Sequence, residues 1–150
     1  MRLHYRFILF FVLLIWCAGI FLEWILIFED HLLYGLPFLQ KTYSLVCHQE
    51  KAKLFLFDHG ETLTCARCTG IYLGLLFTSI IVLFSIPKKK LHINFLFIAA
   101  SPMIFDVILY LLNIYHYSKL IAFITGFLLG SVGFIYLYAG LNNLIRELKS

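Results

Sequence analysis

Charge is scarce in this chain: Asp, Glu, Lys and Arg make up 13% of its 150 residues. A soluble domain carries about a quarter. So short a chain cannot bury its apolar side chains, 62% of the total, in a core of its own, so lipid must be part of its solvent. Proline is rare, with three residues. Pro37 breaks an apolar run, Pro87 stops a helix, and Pro102 lies where a helix is expected to kink. There is no phosphate-binding glycine loop, no Ser-His-Asp motif and no HExxH, so none of these catalytic signatures applies. The net charge of +4 is dispersed. With no basic stripe, nucleic acid is not expected as a partner. A cleaved signal peptide is not expected either, because the first apolar run is long and no small-x-small site closes it.

What fills the chain is apolar and aromatic, with 16 Phe and 9 Tyr and a mean hydropathy of +0.92. Runs at about 7–28, 69–86, 93–112 and 120–141 each approach the ~20 residues that cross a bilayer. The expected fold is an all-α integral membrane protein. It forms a single membrane domain over 1–150, a four-helix bundle with an extramembrane loop at 29–68 between helices one and two. Leu32, Leu33, Tyr34, Leu36, Phe38 and Leu39 are too apolar for a free linker, as are residues 54–57. They suggest interfacial or re-entrant pieces. Gly70 with Gly74, and Gly126 with Gly130, have the spacing that lets helix backbones approach closely in lipid. Helix two should therefore pack on helix four.

Lysine and arginine near the helix ends set orientation. Arg2, Arg6, Lys88, Lys89, Lys90, Arg146 and Lys149 fall on one side. Lys41, Lys51, Lys53, Arg67 and Lys119 are spread along the longer segments of the other. The dense side should be cytoplasmic. Both termini then lie inside a cell or inner membrane, and the cysteine loop lies outside.

Of the four cysteines, Cys17 lies in an apolar run and reads as a buried, inert thiol. Cys47, Cys65 and Cys68 remain. Three thiols cannot all pair within one chain, which leaves a metal site, or a redox pair plus a spare. Cys65-x-x-Cys68 is a two-thiolate bite for a metal such as zinc, or iron, and Cys47 supplies a third ligand. His48 or His59 would complete the set. Cys47 and His48 are adjacent and would strain to reach one ion, so His59 stays in contention.

The redox reading uses Cys65 and Cys68 alone. Cys68 directly precedes the expected start of helix two, where helix-end amides favour a thiolate, and Arg67 adds positive charge between the sulfurs. A CxxC at the mouth of a helix bundle resembles the layout of membrane thiol oxidases and vitamin K epoxide reductases, which pass electrons to quinones. Those proteins relay electrons through a second cysteine pair, and here only Cys47 is left. The plainest reading is a structural staple, since an exported loop permits disulfides.

Polar residues in the helices deserve separate weighing, because ionisable groups in lipid are costly and face a bundle interior or cavity. Asp106 has no charged neighbour in sequence. It is a candidate catalytic acid–base group, or else a polar lock between helices. Glu23 lies near the interface and snorkels to water on the bland reading. His4, His31, His92 and His116 read as interfacial. The expected partners are the bilayer and a lipid or small-molecule substrate.

Cys47-His48-Gln49 followed by Cys65-Ala66-Arg67-Cys68-Thr69-Gly70-Ile71-Tyr72-Leu73-Gly74 resembles the signature of an uncharacterised family of small membrane proteins. It is known as domain of unknown function twenty eighty-five. The family pattern is roughly CHQxPERSF, CxRCTGIYxG, a later proline and aspartate, then TGxxxG. Pro102 with Asp106 resembles the third part, and Thr125-Gly126 with Gly130 the last. Lys51 stands where the pattern has proline, Lys53-Leu54-Phe55 where it has Arg-Ser-Phe, and Ala122 where an arginine is usual. The resemblance implies a membrane protein and assigns no activity.

Overall fold

The computed structural model describes residues 3–22, 36–57, 60–84 and 92–147. Glu23, His31, His59 and Lys88–Lys90 lie outside the described residues, as does the expected end of the first helix. The order is α1 (Leu3–Ile20), α2 (Leu36–Ser44), a 3-10 turn (Lys51–Lys53), β1 (Leu54–Phe57), β2 (Gly60–Cys65), α3 (Ala66–Phe84), α4 (Asn94–Leu111) and α5 (Lys119–Glu147). Among the described residues, α3, α4 and α5 are long and apolar enough to cross a membrane. The apolar part of α1, His4–Ile20, is shorter.

The exposure pattern is that of a protein dissolved in lipid. Of α4's 18-residue span, with mean hydropathy 1.8, only 6% is buried. Phe97, Ile98 and Phe105 all project outward. Water would not tolerate such a face, and hydrocarbon does. α4 continues through Pro102, whose missing N–H removes one helical hydrogen bond.

The centre of the molecule is α3 against α5. A methyl group added at Gly70 would collide with the Phe123 carbonyl, and one at Gly74 with the Phe127 carbonyl. From the other side, Gly126 meets the Arg67 carbonyl and Gly130 the Ile71 carbonyl. The two glycine pairs therefore interlock, as their spacing predicts. With no side chain between them, the two backbones touch, and dispersion does the work that hydrophobic burial cannot do in lipid.

α1 lies along α3, with the Cys17 thiol donating to the Tyr72 carbonyl at 3.4 Å. Leu13 packs on a cluster of Val82, Phe134 and Tyr138, and the Arg6 guanidinium sits over the Tyr138 ring. The start of α1 and the later part of α5 thus share one end of the molecule. The last turn of α1 reaches the other end, where Ile20 packs with Tyr43 and Leu63.

Three boundaries differ from expectation, each for a local reason. Residues 36–65 hold secondary structure of their own. Leu54–Phe57 and the Thr-rich Gly60–Cys65 pair as an antiparallel hairpin, with Leu54 opposite Cys65 and Phe57 opposite Gly60, which suits β-branched and aromatic side chains. Its register slips between Leu54 and Leu56. There the buried Thr62 hydroxyl replaces a ladder acceptor, taking the Phe55 N–H at 3.1 Å. α3 starts at Ala66, three residues before the expected Thr69, so Arg67 and Cys68 belong to its first turn. α5 runs on to Glu147, taking much of the expected polar tail into helix.

Candidate metal centre

Cys65 ends β2 and Cys68 is the third residue of α3, so the Cys-Ala-Arg-Cys run turns a strand-to-helix corner. Buried threonines hold that corner. The Thr69 hydroxyl lies 2.9 Å from the Thr64 hydroxyl and 3.1 Å from the Cys65 carbonyl. The Thr62 hydroxyl donates to the Thr64 carbonyl at 2.9 Å. Each buried hydroxyl is satisfied, so the corner is fixed without a desolvation penalty.

Cys47 arrives from the other direction. After α2, the Cys47 N–H donates to the Tyr43 carbonyl at 2.9 Å. Tyr43 itself donates to the Trp16 carbonyl at 2.6 Å, which ties α2 to α1. Gln49 then adopts a left-handed backbone, with φ of 47°. That conformation costs a non-glycine residue roughly 1–2 kcal/mol. The Gln49 side-chain amide offsets it by donating to the Leu63 carbonyl at 2.8 Å and the Gln40 carbonyl at 3.2 Å. Gln49 thus clamps the Cys47 segment to β2 and α2.

The result is that the sulfurs of Cys47, Cys65 and Cys68 all lie within 4.8 Å of one another. Cys47 is buried, and the other two are half-buried. The Cys65 N–H donates to the Cys47 sulfur at 3.2 Å. Hydrogen bonds from the Cys65 and Cys68 thiols, and then from backbone N–H groups, hold the Cys47 pKa below the usual thiol range against the opposing effect of burial. The Cys65 thiol is pushed up, chiefly by its hydrogen bond to Cys47. A thiolate at Cys47 is therefore the favoured charged form of the trio.

A second polar group adjoins the trio. Arg67 forms an ion pair with Asp106, and Tyr115 donates to the other oxygen of the same carboxylate. Asp106 is buried. The Arg67 guanidinium also lies 5.9 Å from the centre of the Tyr117 ring. The Lys53 ammonium sits 5.7 Å from the centre of the same ring and 4.8 Å from that of Tyr110, while pairing with Glu50 at 2.5 Å. Tyr115 and Tyr117 are turned back toward the site by Asn113, whose left-handed φ of 53° ends α4. The Ile114 N–H bonds back to the Leu109 carbonyl and the Asn113 N–H to the Tyr110 carbonyl, each at 3.1 Å, a Schellman turn.

Of the candidate ligands, the structure brings together Cys47, Cys65 and Cys68. His48 is exposed and stands outside that group. His59 lies outside the described residues. Asp106 stands in the Arg67–Tyr115 pairing. His4, His92 and His116 are exposed. Sequence reasoning passed over Gln49, Lys53, Tyr115 and Tyr117 as parts of one site. The signal present for the tyrosines was Asn113, a residue type that tolerates the left-handed turn and so marks where the chain doubles back.

These features define a multi-helix membrane protein with a tri-cysteine cluster held at one end of its helices. The chain belongs to the family described as predicted membrane protein (DUF2085), whose model matches residues 47–136. That stretch begins at Cys47 and takes in the hairpin, α3, α4 and most of α5. An uncharacterized protein of Methanocaldococcus jannaschii is 38% identical over 100 residues, which cover 61% of this chain and 61% of that protein. No solved structure matches.

Proposed function

We propose that Cys47, Cys65 and Cys68 bind a metal ion, zinc or iron, at the membrane–water boundary on the non-cytoplasmic side, within a four-helix membrane domain. The convergence of the three sulfurs carries this reading. A tetrahedral zinc at about 2.3 Å from each thiolate needs sulfurs about 3.8 Å apart, and a trio already within 4.8 Å closes onto such an ion with small side-chain movements. The Cys65 N–H on the Cys47 sulfur supports a thiolate, the form that binds metal. Three thiolates supply three of the four positions of a tetrahedral site, and either a histidine of this chain, His59, or an external ligand would take the fourth. A bound metal would supply a Lewis acid there. Asp106 acts as a positioning residue through Arg67, because both partners of its carboxylate are already in place.

The test is elemental analysis with thiol counting on detergent-purified protein prepared without chelator. About one metal per chain is expected, lost in the Cys65→Ser variant. Metal well below one per chain in the unaltered protein would end this reading.

One observation favours a thiol-redox alternative. The Cys65 N–H donates to the Cys47 sulfur at 3.2 Å with two further sulfurs within 4.8 Å, an arrangement that would activate a thiol for exchange. Oxidation of two of the thiols to a disulfide would release two electrons and two protons, reducing a lipid quinone to quinol. Alkylation trapping in intact cells decides it, since a cycling pair must be caught partly oxidised.

A further inference from the structure

Buried hydrogen-bonding atoms without partners are uncommon, because an unmade hydrogen bond forfeits the whole solvation of the donor. Among the described residues, two of the few such atoms fall next to the cysteine trio: the Arg67 Nε and the Tyr117 hydroxyl. They belong to side chains that stack on each other. Arg67 comes from between Cys65 and Cys68 in sequence. Tyr117 comes from the turn after α4, and its hydroxyl lies in the field of Cys65, Cys68 and Asp106.

Both side chains are held from behind. Asp106 fixes the Arg67 guanidinium through another nitrogen, and Tyr115 fixes Asp106. Lys53 and Tyr110 brace the Tyr117 ring. Each nearby cation is matched by a carboxylate, Arg67 by Asp106 and Lys53 by Glu50. The two unpartnered donors therefore lie among paired charges, without a strong excess of positive charge. Three thiolates on a divalent ion add a net negative charge. Such surroundings favour an uncharged oxygen acceptor over an anion.

We propose that Arg67 Nε and the Tyr117 hydroxyl form a donor pair that receives the carbonyl oxygen of an uncharged ligand lying against the cysteine trio. This rests on the metal reading. The carbonyl arrives either on a bilayer lipid ester or on a soluble ester or amide, since the trio lies where lipid and water meet.

The test uses the full chain loaded with cobalt(II), whose visible absorption reports both the sulfur ligands and the fourth position. N-methylacetamide, uncharged at neutral pH, bearing a carbonyl and unable to chelate the metal, is the probe. The unaltered protein should give a saturable spectral change. Tyr117→Phe and Arg67→Lys should each weaken probe binding about tenfold, the worth of one good hydrogen bond, while leaving the cobalt–sulfur bands in place. Cobalt bound normally with equal probe affinity in all three proteins overturns the donor pair and leaves the metal reading standing. Failure of cobalt to bind the unaltered protein overturns both. In nanodiscs, competition from ester-linked but not ether-linked phosphatidylcholine supports the pair and assigns its carbonyl to the bilayer. Equal probe affinity in the two lipids, with the variants still weakened, supports the pair with a soluble ligand.

Discussion

Asp106 is a carboxylate on a helix that otherwise faces lipid, and its partners explain why it is tolerated there. The Arg67 guanidinium and the Tyr115 hydroxyl replace water around it. Removing one member of a buried ion pair leaves the other charge uncompensated, at about 3–5 kcal/mol. Asp106→Ala should therefore lower the thermal unfolding midpoint in detergent sharply. Asp106→Asn, which keeps an acceptor for Tyr115, should lower it less. If the two variants unfold together, the Tyr115 contact contributes little. Gln49 is the other residue whose side chain decides local geometry. Gln49→Ala keeps the backbone strain and loses both amide bonds, so it should weaken metal retention against a chelator even though no metal ligand has changed. Cys47 would then be held only by its own turn.

The elements depend on the glycines in the same unequal way. Gly130 touches the backbone of α3, whereas an added methyl at Gly133 or Gly140 would meet nothing within 4 Å. Gly130→Ala should push α3 and α5 apart at about 1–3 kcal/mol, the range for overpacking. Gly133→Ala should be neutral or slightly stabilising, because alanine is the better helix former. Equal unfolding midpoints for the two variants would contradict the packing described. The cap of α2 and the hairpin is held to the helices by a small cluster of Ile20, Tyr43 and Leu63 and by the three-sulfur junction. Chelator treatment should loosen this cap first, seen as faster limited proteolysis between residues 45 and 65 than within α3 or α5.

For the whole molecule, the testable consequence is orientation. The start of α1 and the later part of α5 share an end, and the trio lies at the other. If the positive residues lie in the cytoplasm, a reporter active only in the cytoplasm should work when fused after Ser150. A cysteine reagent that cannot cross the membrane should reach the metal-free trio from outside. Activity of an exterior reporter at the same position would turn the molecule around.

Lipid as solvent, the apolar spans and the glycine contact between α3 and α5 were all legible from composition and spacing. These are local properties: hydropathy over a helix length, and small residues repeated once per turn on one face. The Cys65-x-x-Cys68 corner was legible for the same reason, since a short spacing leaves the chain few ways to separate two side chains. Cys47 was expected beside it as a third ligand and is found there, but the way it is held, the pairing of Arg67 with Asp106 across 39 positions, and the return of Tyr117 came from the tertiary structure alone. They depend on the Gln49 clamp, the Asn113 turn and the approach of α4 to α5. Such long-range meetings are decided by packing, and no local pattern in a single chain encodes which distant residue will arrive.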